Sequence, residues 1–472
     1  MTKPIEVRNP RTGKFDYIIL PPPPRLLVHQ CNRARRAQTQ WQQIGLSARI
    51  QALQQWQQAI VSERQQLTEA LVGDTGRLST SVLEIDTFLS TIKRWCRLAP
   101  ELIGTSAKNT AIPFISLQQT SVPYPLVGVI SPWNFPLLLS TIDTIPALLA
   151  GCAVIIKPSE IAPRFVAPLM TALNTVPDLR DVLSFAEGTG ETGATLIENV
   201  DLVCFTGSVA TGLKVAEAAA KRFIPAFLEL GGKDPAIVLE SADLELATSA
   251  ILWGAVVNSG QSCLSIERIY VAEAIFEEFY HQLTVKAHSL QLAYPQVESG
   301  EIGPIIAEKQ AAIINDHLLD AVAKGALIHC GGKVEEIDGG WWCRPTVITQ
   351  VNHSMKIMTE ETFGPIMPVM AFPTIQEAIY LANDSIYGLS AAVFAETEAE
   401  ALAVAEHINA GAISINDAAL SDIIQEGERN SFKFSGLGGS RMGAASIKRF
   451  LRKKAFLIKT DTNKDPWWFN NQ

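Results

Sequence analysis

Several things are scarce in this sequence, and each scarcity removes a class of function. Charge is thin, at 18% of 472 residues, and the net charge is −9. With no basic excess to neutralise phosphates, non-specific nucleic-acid binding is disfavoured. The cluster Arg33, Arg35, Arg36 is short and reads as a solvated helix start. Long apolar runs are also missing. The longest, 136–156, is broken by Asp143, Pro146 and Gly151, and a spanning helix needs about 18 or more uninterrupted apolar residues. The first ten residues, MTKPIEVRNP, lack the apolar core of a secretory signal. Cysteine is sparse, scattered and odd in number: Cys31, Cys96, Cys152, Cys204, Cys263, Cys330 and Cys343, with no CxxC. That argues for reduced thiols and a cytoplasmic setting, and against a disulfide framework or a bound metal. No tandem repeat occurs, and the one low-complexity tract is the four-proline spacer Pro21 to Pro24.

What is present is an ordinary globular balance, 47% apolar, in a chain long enough for two or three folded units. From Ser47, a plausible cap, Ile50, Leu53, Trp56, Ile60, Leu67 and Leu71 recur at helical spacing. Beyond about residue 125 the pattern changes. LVGVI (126–130), AVII (153–156), LVCF (202–205) and AIVL (236–239) read as strands buried on both faces, with helix-length segments between them. A parallel α/β sheet is the natural architecture. RIYVA from Arg268 suggests a second α/β unit, entered through a helix that starts near Ala242.

Six stretches could carry chemistry. SPWNFP (131–136) follows a strand, where ligands bind in parallel sheets, and Asn134 offers an amide to a developing oxyanion. KPSE (157–160) places Lys157 and Glu160 where they could grip ribose hydroxyls. Gly188, Gly190 and Gly193 spell G-x-G-x-x-G, yet they do not follow the first strand of a βαβ unit. A loop with a helix entry therefore explains them better than a pyrophosphate turn. FTGSVATG (205–212) puts Gly207, Ser208 and Gly212 where a strand gives way to a helix, so that backbone and hydroxyl can approach a phosphate. In LELGGKDP (228–235), Glu229 precedes two glycines that let the backbone bend sharply. NSGQSC (258–263) ends in Cys263 among small polar residues, unlike a structural thiol in apolar surroundings. Taken singly, each has an ordinary reading as a turn, a solvated lysine or an inert cysteine.

Together, SPWNFP, KPSE, FTGS, ELGGK, GQSC and EETFGP (360–365) resemble the signature series of the aldehyde dehydrogenase superfamily, in order and over nearly the whole chain. The 34-residue separation of Glu229 and Cys263 matches that family too. The resemblance implies Cys263 as nucleophile, Glu229 as general base, and Asn134 with the Cys263 N–H as oxyanion hole. It puts Lys157 and Glu160 on the adenosine ribose, and Thr206, Gly207, Ser208 and Gly212 beside the pyrophosphate. Glu361 and Phe363 would steady the nicotinamide ribose and ring, and Trp133, Leu230 and Gly231 would line the cofactor cleft. The expected fold is α/β with three units. These are a Rossmann-type parallel-sheet cofactor domain (1–105 and 125–229), an α/β catalytic domain (230–430), and a β extension for oligomerisation (106–124 and 444–464). A homodimer or homotetramer follows, because an unpaired β extension exposes a ladder edge. The presence of Glu229 favours a free acid over acyl transfer to coenzyme A.

Two departures and two preferences follow. In KFSGLGGSRMG (433–443), Lys433 and Ser435 replace a Pro and a Gly of the family pattern. This resembles the shorter, fatty-aldehyde-type branch, in which the loop lies near the substrate entrance. Glu160 would accept a ribose 2′-hydroxyl and repel a 2′-phosphate, favouring NAD, with NADP as the alternative. Phe135 to Leu139 and Leu264 are apolar, and no arginine in those two segments could hold a substrate carboxylate. An apolar aldehyde is expected, a long-chain alkanal or an isoprenoid aldehyde such as an apocarotenal. A semialdehyde-specific enzyme and a non-catalytic structural homologue are the rivals. The tail aromatics Trp467, Trp468 and Phe469 could dock on a neighbouring subunit, cover the tunnel, or make a weak membrane-surface contact.

Overall fold

The computed structural model describes residues 2–104, 106–112 and 114–460; the aromatic tail lies outside them. Two large sheets organise the chain. The first has the order Gly436–Leu437, Ala226–Glu229, Leu202–Thr206, Leu126–Ile130, Ala153–Lys157, Leu183–Phe185. All neighbours are parallel except the edge strand Gly436–Leu437. Leu126–Ile130, Ala153–Lys157 and Leu202–Thr206 are buried at every position, as a parallel sheet covered by helices on both faces requires. The chain runs outward from Leu126–Ile130 to one side, then returns to add Leu202–Thr206 on the other. This reversal opens a crevice beyond the strand ends Ile130 and Thr206, the usual ligand position in such sheets.

The second sheet has the order Leu327–Cys330, Thr346–Thr349, Ile366–Phe372, Ile266–Ala272, Asp234–Val238, Ser390–Phe394, Ala412–Ile415. Only its edge strand Leu327–Cys330 is antiparallel. The two sheets meet across a short link: Glu229 ends a strand of one and Asp234 begins a strand of the other. Glu229 and the cofactor motifs thus sit at carboxyl ends of the first sheet, whereas Cys263 and EETFGP precede strands of the second. A third sheet pairs Leu451–Lys459 with Ile115–Pro123, and that strand with Ser106–Asn109, all antiparallel. Residues 452–459 are exposed on both faces.

Local chemistry explains the helix starts. Asp243 accepts the Leu246 N–H at 3.0 Å and caps Leu244–Val256, and Ser208 caps Val209–Arg222. The G-x-G-x-x-G stretch is a loop and helix entry, with Thr189 capping Gly190–Ile197. Asp201, close behind, takes the Leu126 N–H at 3.0 Å and pairs with Arg35 at 3.1 Å.

Two expectations fail here. Ser47 caps nothing, because the helix starts at Gly45 directly after a preceding helix, Pro24–Gln43. The break is made by Gly45 at φ 84°, so Ser47 falls within the first turn. Arg33, Arg35 and Arg36 accordingly lie inside Pro24–Gln43 rather than at a helix start. The apolar positions read from the sequence do face the core: Leu53, Trp56, Ile60, Leu67 and Leu71 are fully buried.

Candidate active site

The loop that carries Cys263 is held in an unusual conformation by many bonds. Asn258, Ser259 and Gly260 have φ of 59°, 56° and 70°. For the two non-glycine residues this costs about 1–3 kcal/mol each and persists only where surroundings over-determine it. They do so here. Asn258 Nδ2 donates to the carbonyls of Asn134 (3.1 Å) and Gln261 (2.8 Å). Gln261 Nε2 donates to Asn258 and Pro304, and Gln261 Oε1 accepts the Ile306 N–H at 2.9 Å. A Cβ on Gly260 would stand 2.2 Å from the backbone of Gly364, so this loop and the EETFGP segment touch main chain to main chain.

Asn134 is fixed by the same network. Its carbonyl accepts from Arg77 at 3.0 Å, and its side-chain amide donates to Gln261 O at 3.0 Å. An amide nitrogen has two hydrogens, so one remains for a ligand.

A cavity of about 140 Å³ lies in the crevice of the first sheet. Of the residues assigned to the cofactor from the sequence, Trp133, Thr206, Gly207, Ser208, Leu230, Gly231, Glu361 and Phe363 line it. Asn134 and Cys263 do as well. Gly212 lies behind the wall, where a Cβ would collide with Leu230 at 2.5 Å. Lys157 and Glu160 do not line this cavity; they pair with each other at 2.8 Å at the next strand end. The glycines of ELGGK serve a different purpose from the sharp bend expected of them, since neither has positive φ. A Cβ on Gly231 would meet Glu361 Oε2 at 2.4 Å, and one on Gly232 would meet the Cys263 carbonyl at 2.3 Å. Close approach, not flexibility, requires glycine there.

The EETFGP segment is anchored by a buried ion pair. Lys233 Nζ lies 2.6 Å from Glu267 and donates to Thr362 Oγ1 at 2.9 Å, while Glu267 accepts the N–H groups of Thr362 and Phe363. This presents Glu361 to the cavity and sets Phe363 edge-to-face against Trp133 at 5.5 Å. Burial, with Glu267 nearby, pushes the Glu361 carboxyl up to about 8.

A second, mostly apolar tunnel of about 400 Å³ meets the first cavity at Cys263 and also takes in Glu229. Phe135, Leu138, Leu139 and Leu264 line it, whereas Leu137 is fully buried in the core. Ile142, Trp253, Val257 and Met442 extend the apolar wall. Ser431 Oγ donates to Glu229 Oε2 at 3.2 Å. Burial raises the Glu229 carboxyl above its ordinary value, while Arg441 and Arg429 pull the other way. The C-terminal loop contributes differently from expectation. Lys433 and Ser435 are turned from the tunnel, Lys433 onto the carbonyls of Asn383 and Ser385 and Ser435 onto Gly388. Arg429, Asn430, Ser431, Arg441 and Met442 form the wall instead.

Residues 2–456 match the model of the Aldehyde dehydrogenase family. The chain belongs to that family. It carries out NAD(P)-dependent oxidation of an aldehyde. As in solved aldehyde dehydrogenases, both sheets are α/β with helices on their faces. The chain is similar to 4,4'-diapolycopene aldehyde oxidase from Methylomonas sp, at 36% identity over 94% of this chain and 84% of that one. It is 33% identical, over 92% and 84%, to a protein of Mycolicibacterium smegmatis provisionally called a succinate-semialdehyde dehydrogenase using NADP(+). A solved Anabaena variabilis structure, PutA, provisionally described as an aldehyde dehydrogenase, has a TM-score of 0.98 and 79% identity over 99% and 100% of the two chains. Betaine aldehyde dehydrogenase from Staphylococcus aureus, solved with NAD+, has a TM-score of 0.92 and 31% identity over 99% and 94%.

Within this aldehyde dehydrogenase, several polar wall residues carry no expectation from the sequence, among them Gln310 in the cofactor cavity and Arg429, Ser431 and Arg441 in the tunnel. Arg441 lies inside KFSGLGGSRMG (433–443), which fixes its position along the chain but not the direction of its side chain. Arg429 and Arg441 reach the tunnel wall from segments other than Phe135 to Leu139 and Leu264, which themselves hold no arginine. Among the described residues, no His, Cys, Asp and Glu group could hold a metal ion, and no helix is long and apolar enough to cross a membrane.

Proposed function

We propose that Cys263 is the nucleophile, Asn134 with the Cys263 N–H the oxyanion hole, and Glu229 the base that releases the acid. The observation that carries this reading is that Cys263 stands where the two cavities meet, with Asn134 in one and Glu229 in the other. Attack by Cys263 Sγ forms a carbon–sulfur bond and a tetrahedral oxyanion, and the remaining Asn134 amide hydrogen stabilises it. Such a donor is typically worth about 100–1,000-fold in rate. The crevice suits a dinucleotide: Gly207 and Gly231 line it without side chains, and it opens at the Ser208 helix start. Thr206, Gly207 and Ser208 would hold the pyrophosphate, Lys157 and Glu160 the adenosine ribose, and Glu361 and Phe363 the nicotinamide end. A nicotinamide there would supply the hydride acceptor, and loss of hydride from the adduct would leave an acyl thioester on Cys263 Sγ. Glu229 then takes a proton from water, whose oxygen displaces Cys263 Sγ and yields the free acid.

The substrate of this reading is an apolar aldehyde, of the long-chain or isoprenoid kind. The leucine-rich tunnel supports it, as does the relative named for 4,4'-diapolycopene aldehyde. Glu160 supports NAD over NADP. The test is NADH production over a panel from short alkanals to apocarotenals and succinic semialdehyde, repeated with NADP. The expected result is kcat/KM at least about tenfold higher for long apolar aldehydes with NAD, since each buried methylene contributes about 0.8 kcal/mol. A preference for succinic semialdehyde or for NADP overturns this part.

The exposed strand Leu451–Lys459, with Phe456, Leu457 and Ile458 among lysines, is the proposed seam to a second copy. Light scattering is expected to give at least twice the 51.3 kDa chain mass; a single-chain mass overturns it. A cytoplasmic location accords with the scattered thiols.

A further inference from the structure

Glu229 has two sides. One faces the tunnel and Cys263. The other faces a small polar cavity of about 20 Å³, room for one water, walled by Arg429, Ser431, Ser440, Arg441 and Arg449. The Arg441 guanidinium is the best-fixed of these groups. Its Nη2 pairs with Asp143 Oδ2 at 2.8 Å and donates to Thr206 Oγ1, the hydroxyl at the head of the cofactor turn. Arg449 pairs with the other oxygen of Asp143. Asp143 is wholly buried, and burial alone would raise its carboxyl; the two arginines outweigh that and hold it below its ordinary value. Two cations thus share one buried anion, leaving a net positive charge beside Glu229.

We infer that Arg441 is a positioning residue for deacylation: held by Asp143 and bonded to Thr206, it favours the charged Glu229 carboxylate and ties that state to the turn that carries the cofactor. This rests on Glu229 being the base. The charged and titratable groups facing Glu229 are Arg441 and Arg429 from the C-terminal loop, Asp143 from the segment before helix Thr144–Ala150, and Cys263 across the tunnel, with Arg449 on the cavity wall. Arg441 has the largest influence among them and acts opposite to burial; Asp143 opposes it more weakly. A base that has just taken a proton from water must lose it before the next turnover. An arginine-walled water cavity on its far side promotes that loss.

The test is the pH dependence of deacylation, measured from burst and steady-state phases between pH 5 and 9. Arg441 shares a cavity wall with Glu229, and a nearby opposite charge lowers a carboxyl pKa by about 1–3 units, so Arg441→Met is expected to move the acid midpoint up by about one unit. Arg441→Lys, which keeps the charge, is expected to restore it. Arg441→Gln, which removes the charge but can still donate to Asp143 and Thr206, serves should Arg441→Met fail to fold, and is also expected to raise the midpoint. The same rise should appear without cofactor or substrate in the infrared band of the protonated carboxyl that Glu229→Gln lacks. A folded variant with weaker NAD binding but an unmoved midpoint overturns the inference. If Glu229→Gln itself keeps the wild-type midpoint, the base assignment fails instead, and the two failures are distinct.

Discussion

Cys263→Ala is expected to lower NADH production by about 10⁴-fold or more, because among the described residues no other thiol lines the site to carry the acyl intermediate. The remaining thiols cannot substitute. Burial pushes Cys31 and Cys96 up to about 11 and Cys343 to about 12, and raises Cys152, Cys204 and Cys330 as well. None of the six lines either cavity. Cofactor affinity, read by fluorescence quenching or calorimetry, should stay within about twofold. The loop is shaped by bonds of the Asn258, Gln261 and Asn134 side chains, which the substitution leaves in place. Stability should also hold, since the change removes one heavy atom at a partly buried site beside two cavities. Turnover within tenfold of the wild type would sink the nucleophile assignment, and lost cofactor binding would move the cause of inactivity from chemistry to structure.

The parallel strands were legible because burial on both faces leaves a continuous apolar run, which a helix-covered sheet demands. Cys263, Glu229 and Asn134 were legible for a different reason. No single motif is specific, but the order of six motifs along the chain leaves little room for coincidence, and the structure brings all three residues to one junction of cavities. Side-chain direction was not legible. Leu137 and Leu138 are neighbours of one type, yet one is sealed in the core and the other faces the tunnel. The difference is one step of rotation on the six-residue helix Pro136–Thr141, whose first turn is anchored where Glu84 accepts the N–H groups of both. Arg429 and Arg441 were hidden for the same reason, since a loop has no periodicity from which to read a face. The glycines of ELGGK were read as a bend, although what matters is which atoms approach from Glu361 and from the Cys263 carbonyl. Those neighbours come from segments more than 30 and more than 120 residues away, beyond any local pattern.

Glu229→Gln is expected to separate the two halves of the reaction. The amide keeps the size of the carboxyl and can still bond Ser431, so Cys263 attack and the first NADH should survive. Hydrolysis should not, because an amide cannot take a proton from water; loss of a general base typically costs about 10²–10⁴-fold. Stopped-flow traces should therefore show a burst of NADH approaching one per active site, then a steady rate lower by that factor. Added hydroxylamine, a nucleophile that needs less help than water, should restore part of the turnover by intercepting the thioester. The pH profile gives the sign independently. A base works only when ionised, so with Glu229 in that role wild-type deacylation is expected to fall tenfold per unit below its midpoint, which burial raises above the ordinary glutamate value. In the variant this acid limb should vanish while the burst remains. Wild-type steady turnover, or a burst lost together with the steady rate, would place the base elsewhere in the tunnel wall.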